Sequence, residues 1–235
     1  LVADYRRVRQ LTKAPLKFTV TGPHMLSKTL LDHHYQDVPA LAHAIAVVMA
    51  EQVREIDADV VQFDEANLPG APEEAEWAAS ALNVLLDAVP RTPAVHLCFG
   101  NYGGQSIQKG TWGALIDYMN RLHVDHLVLE FAFRGYEELQ FFSDLRPEIG
   151  LGIGVIDVKS TVAESPDLVA RRIEEAARHV GAERIRYVHP DCGFWMLKRS
   201  IADAKMRALV AGRDLFEGRT PSDGQGATET LAAPT

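Results

Sequence analysis

Six apolar runs of strand length recur through this chain, and none alternates cleanly between apolar and polar. They occupy residues 16–21, 60–64, 94–98, 126–131, 151–156 and 185–188. Unbroken runs rich in β-branched and aromatic residues predict strands buried on both faces, as in a parallel sheet. Helical patterns separate them. Residues 37–56 carry Leu41, Ile45, Val48, Met49 and Val53 at helical spacing, and residues 73–89 carry Trp77, Ala81, Leu82 and Leu85. Further helices are expected over 112–122, 136–142, 166–180 and 196–216. The third of these opens on Ser165-Pro166, a capping residue followed by one preset for the first turn.

Strand–helix units in series predict an α/β architecture. Six strands satisfy an open doubly wound sheet unaided, whereas a (β/α)8 TIM-type barrel needs two more units. The chain opens on Leu1 inside what reads as a helix reaching residue 13. That start agrees with a barrel lacking its first two strand–helix units, but periodicity alone does not choose between barrel and open sheet, and residues 1–217 read as one domain. From Gly218 the composition turns polar and rich in Gly, Pro, Ser and Thr, so residues 218–235 are expected to form a flexible tail.

Composition narrows the function. A net charge of −8 argues against a phosphate-backbone binder, so no nucleic acid is expected. No apolar stretch reaches membrane-spanning length, and the N-terminal residues lack the apolar core of a signal peptide. Two cysteines make no disulfide framework. These points predict a cytoplasmic protein, with a homo-oligomer left open.

Reactive side chains end the strand-like runs, where parallel α/β proteins collect their active groups. Asp64 and Glu65 end the second run, His96 and Cys98 the third, and Glu130 the fourth. Asp157 and Lys159 follow the fifth, and Asp191 and Cys192 the sixth. On a strand, positions i and i+2 share one side, so His96 and Cys98 can face one metal ion. A buried carboxylate such as Glu130 is costly unless paired or metal-bound. Two thiolates, an imidazole and a carboxylate make a donor set suited to zinc. The competing reading is a small buried Cys98 beside a hydrogen-bonded core histidine. Trp195 is expected to wall the pocket. His24 follows the first run on the active side, while His33 and His34 read as part of a solvent-facing helical stretch. The segment 101–106 is either a loop closing over substrate or a plain surface turn.

These motifs resemble the C-terminal catalytic barrel of cobalamin-independent methionine synthase and its single-barrel relatives among zinc-dependent thiol alkyltransferases. Lys17-Phe18-Thr19-Val20-Thr21-Gly22-Pro23 looks like the third-strand motif, and Gln62-Phe63-Asp64-Glu65-Ala66 like the fourth-strand motif. His96-Leu97-Cys98, Glu130 and Pro190-Asp191-Cys192-Gly193 match the zinc ligands in order and spacing, and the likeness covers roughly residues 12–216. It implies a (β/α)8 TIM-type barrel lacking its first two strand–helix units here, with residues 1–217 as the catalytic zinc domain. It also implies zinc on His96, Cys98, Glu130 and Cys192, with Glu130 the labile ligand. The zinc-bound thiolate of a small thiol, homocysteine foremost, would attack a methyl group carried by a folate or corrinoid donor. Asp64 would hold the substrate ammonium, and Glu65, Asp157, Asp191 and Trp195 would line the substrate site.

The chain departs from the family where the synthases carry a histidine after the seventh strand. Asp157-Val158-Lys159-Ser160 stands there, so Lys159 is expected to supply a proton or bind an anionic group. Two alternatives remain: thiol addition to an epoxide, as in the epoxyalkane:coenzyme M transferases, and a non-catalytic metal-binding subunit of a methyl-transfer complex.

Overall fold

The computed structural model describes residues 1–101 and 104–219. Its elements run α1 (Val2–Leu11), β1 (Lys17–Thr21), α2 (Pro23–Thr29), α3 (Val38–Val53), β2 (Val60–Asp64), α4 (Ala75–Leu86) and β3 (Thr92–Leu97). They continue with α5 (Ile116–Arg121), β4 (His126–Leu129), β5 (Gly150–Ile156), α6 (Pro166–Val180), β6 (Ile185–Pro190) and α7 (Arg199–Phe216). The six strands form one sheet in the order β1-β2-β3-β4-β5-β6, and every neighbouring pair is parallel. Winding never reverses. A doubly wound sheet would turn back at a switch point, so this order is that of a (β/α)8 barrel. Among the described residues the sheet stays open, with β1 and β6 as its edges.

The two faces of the sheet differ sharply. Phe18, Val20, Val61, Phe63, Val95, Leu97, Leu127, Leu129, Leu151 and Ile153 enter one apolar core with helix residues such as Ala46, Val53, Leu82, Leu85, Val169 and Ile173. Each large side chain buried there stabilises the fold by roughly 1.5–3 kcal/mol. The positions between them face the other way and include Gln62, His96 and His126. This polar alternation is hidden in the sequence because Val60, Ala94 and Val128 share the inner side. Strands β2, β4 and β5 are buried along nearly their whole length, as their apolar runs predict, whereas edge strands β1 and β6 are more exposed.

Helix starts follow local chemistry. Asp37 accepts the Ala40 N–H and Ser165 the Leu168 N–H, capping α3 and α6. Helix α2 has no counterpart in the sequence pattern; its seven residues are too few to show a period. Residues 136–142, expected to be α-helical, lie in a 3-10 helix over Glu137–Asp144, and the last helix starts at Arg199 rather than at residue 196. His33 and His34 are not helical. The Asp32 carboxylate accepts the His34 and Tyr35 N–H groups, and this local bonding replaces a helical turn. No helix of the described residues is long and apolar enough to cross a membrane. Tyr102 and Gly103 of the proposed substrate loop, and residues 220–235 of the expected tail, lie outside the described residues.

Candidate metal centre

Strands β3 and β6 deliver three donors to one point. One ligand atom each from His96, Cys98 and Cys192 lies within 4.8 Å of the others. His96 sits inside β3, Cys98 one residue past its end, and Cys192 two past the end of β6. His96 and Cys98 are buried, Cys192 is half-buried, and both thiols are free. Alternation along β3 turns His96 and Cys98 to the same side, as the His-x-Cys spacing predicts.

The histidine is oriented for the task. Its Nδ1–H donates to the Val128 carbonyl at 2.9 Å, which leaves Nε2 as the ring's free lone pair. Burial pulls the imidazole's pKa down, but hydrogen bonding to Cys192 and the charge of Asp64 carry the net shift upward. Hydrogen bonding between the thiols splits their acidity. Cys98 falls below the ordinary thiol range, while Cys192 rises, with burial adding to that rise. Three soft or borderline donors converging in a partly dry site can hold a metal ion and leave a further position open.

Glu130 stands beside this cluster rather than in it. It is fully buried one residue past β4. Its Oε1 accepts the Phe99 N–H at 2.9 Å, and its Oε2 accepts from the Lys159 ammonium at 2.9 Å. Lys159 is itself almost wholly buried and stands 4.7 Å from the Phe133 ring centroid. The pairing answers the cost of a carboxylate in an apolar strand end. Asp157 shapes the loop that carries this lysine, its carboxylate accepting the Lys159 N–H at 2.8 Å.

The remaining carboxylates divide. Asp64 is half-buried and directly opposite His96 in the β2–β3 register, with Oδ1 accepting from Gln62 Nε2 at 2.8 Å. Glu65 is fully buried and accepts the His24 and Met25 N–H groups at the start of α2. A side chain at Gly22 would collide with it, so glycine is required there. Asp191 accepts three backbone N–H groups, from Phe131, Ala132 and Phe133, at 2.8–2.9 Å. Burial pushes its pKa up to about 7. Both Glu65 and Asp191, expected at the substrate, have their oxygens engaged by backbone. Trp195, expected as a pocket wall, is 69% exposed.

Two partners escape the sequence pattern. Lys17 donates to Gln62 Oε1 at 3.0 Å, so a Lys17–Gln62–Asp64 chain runs across β1 and β2. Its signal is the i, i+2 spacing of Gln62 and Asp64. Lys205, fully buried on α7, donates to Asp157 O, Val162 O and Glu164 Oε2, clamping the loop that bears Lys159. Nothing local to Lys205 announces this.

Comparison with known proteins agrees with the fold. The chain is 27% identical over 226 residues to a methionine synthase of Thermococcus kodakarensis, covering 94% of this chain and 64% of that protein. It is 30% identical over 244 residues to 2-hydroxypropyl-CoM lyase of Xanthobacter autotrophicus, covering 90% and 64%. The chain thus spans just under two thirds of the length of these relatives. A B12-independent methionine synthase from Shewanella sp. W3-18-1, solved with selenomethionine, shares the fold with a TM-score of 0.82 at 24% identity. That match covers 92% of this chain and 66% of the solved one. The profile of the cobalamin-independent synthase catalytic domain matches residues 2–213, so the chain belongs to that family.

Proposed function

We propose that this chain serves zinc-dependent methyl transfer to the sulfur of a small thiol, homocysteine foremost. The observation that carries the reading is the convergence of His96, Cys98 and Cys192 donors within 4.8 Å. The set fits zinc: two sulfurs, an imidazole whose Nε2 is left free by the Val128 contact, and Glu130 next to Cys98 as a hard oxygen ligand. Zinc bound there supplies the Lewis acidity that keeps a substrate thiol deprotonated near neutral pH.

This chain's residues arrange the rest. Asp64, across from His96, holds the substrate ammonium, with Gln62 fixing one carboxylate oxygen. The substrate sulfur attacks the methyl carbon, forming an S–C bond. The bond between methyl and donor breaks, and its electron pair leaves with the donor. Lys159 supplies a proton to that group or holds it if anionic. The donor is a methylated folate or corrinoid. A reducing cytoplasm suits the reading, because the two ligand thiols must stay unpaired. The 30% identity to 2-hydroxypropyl-CoM lyase favours a second reading, thiol addition to an epoxide.

Metal analysis tests the centre. Purified protein is expected to carry stoichiometric zinc that Cys192→Ser loses; zinc retained by that variant overturns the ligand set. Mass spectrometry of products from homocysteine with methyltetrahydrofolate or methylcobalamin, beside 2-mercaptoethanesulfonate with an epoxide, separates the two readings.

A further inference from the structure

Glu130 is the expected ligand that the donor cluster leaves out, and the reason is visible. Its two oxygens have different kinds of partner. Oε1 accepts a backbone N–H from Phe99, the neighbour of Cys98, and this tether keeps the carboxylate beside the site. Oε2 is held by Lys159, at 2.9 Å, in a pair almost wholly out of solvent. The ammonium is not a loose surface group. Asp157 holds its backbone, Glu164 Oε1 accepts the Asp157 N–H, and Lys205 clamps the 157–164 loop through three acceptors. Phe133 covers it from one side.

We infer that Lys159 is a positioning residue for Glu130: its ammonium competes with the metal for Oε2 and weakens the hold of that carboxylate on the centre. The inference rests on the zinc reading of the His96, Cys98 and Cys192 cluster. Taking a buried carboxylate off a cation is costly unless another partner receives it. Lys159 is placed to receive it, and the Phe99 tether limits the exchange to a turn of one oxygen. With zinc bound, Lys159 would be the partner that receives Oε2 whenever Glu130 is off the metal. Lys159 acts here as a positioning residue, through Glu130.

The test is zinc affinity, read by chelator competition and by the absorption of the cobalt(II)-substituted protein. Lys159→Met removes the competing cation and leaves Glu130 Oε2 no partner but the metal, so zinc is expected to bind about tenfold more tightly, roughly 1.4 kcal/mol. Cobalt absorption is expected to shift toward a four-coordinate centre. Lys159→Arg keeps the pair and a wild-type affinity. The gain must vanish when Lys159→Met is made in a Glu130→Gln background. Equal zinc affinity in wild type and Lys159→Met overturns the inference alone, as does a gain of the same size in the Glu130→Gln background, which would make Lys159 a plain charge. If Lys159→Met is unstable without metal, zinc is expected to recover it on refolding. Failure of zinc to recover it while Lys159→Arg folds also overturns the inference. Absence of zinc from the wild-type protein overturns the metal reading and this one together.

Discussion

Glu65 and Glu130 are the same residue at equivalent places, each one position past a parallel strand and each fully buried. Their partners differ. Glu65 meets two backbone N–H groups at the start of α2, at 3.0 and 2.9 Å. Burial pushes its pKa up to about 8. Glu130 meets one backbone N–H and one ammonium. Backbone dipoles cannot move away, so Glu65 is a brace that ties β2 to α2. A charged side chain can trade its carboxylate for another cation, so Glu130 is available to chemistry. The partner, and not the residue or its strand position, decides which role a buried carboxylate plays.

The largest expected effect comes from breaking the charged pair. Glu130→Ala leaves the Lys159 ammonium buried without its counter-charge and should lower stability by about 3–5 kcal/mol, measured by urea denaturation. A loss under about 1 kcal/mol would mean that Lys159 readily finds water, and the contrast with Glu65 would fail.

Glu65→Gln sharpens the comparison from the other side. A carboxyl whose pKa is raised from 4.5 to about 8 on folding holds an extra proton in the folded state. Unfolding releases that proton, so this group's contribution is present below about pH 4.5 and is lost as pH rises toward 8. The loss across that window is a few kcal/mol at most, because each pH unit between the unfolded and folded pKa values costs roughly 1.4 kcal/mol. Glutamine keeps an acceptor and does not titrate. Denaturation midpoints of Glu65→Gln from pH 5 to 8 should therefore fall less steeply than those of wild type, with zinc content unchanged. An identical slope would remove Glu65 as the titrating brace.

The smallest effect is expected at the rim. Trp195 is 69% exposed, so Trp195→Ala should change stability by no more than about 0.5 kcal/mol. That makes the substrate KM a clean readout: a raised KM with unchanged stability places Trp195 at the substrate, and an unchanged KM removes it from the pocket.

The strand ends are legible in the sequence because parallel strands bury both faces and release polar residues only where they stop. His96-x-Cys98 is legible for a similarly local reason, since alternation alone turns both residues to one side. Helix α2 is not legible at seven residues, and the His33–His34 stretch departs from the helical pattern because the Asp32 side chain bonds the backbone in place of a helix. The backbone partners of the strand-end carboxylates are not legible either. Asp191 engages the N–H groups of residues 131–133, about sixty positions away in the chain.

By itself the sequence determined the parallel α/β class, the boundaries of most strands, and the residue types presented at one end of the sheet. Those properties follow from unbroken apolar runs and from the bulk of side chains within a few positions. Only the tertiary structure decided that the strands run in chain order without reversal. It also decided that His96, Cys98 and Cys192 meet, and that Glu65 and Asp191 brace backbone while Glu130 faces Lys159. A buried charge takes whatever partner converging strand ends bring within about 3 Å, and that meeting depends on long-range packing.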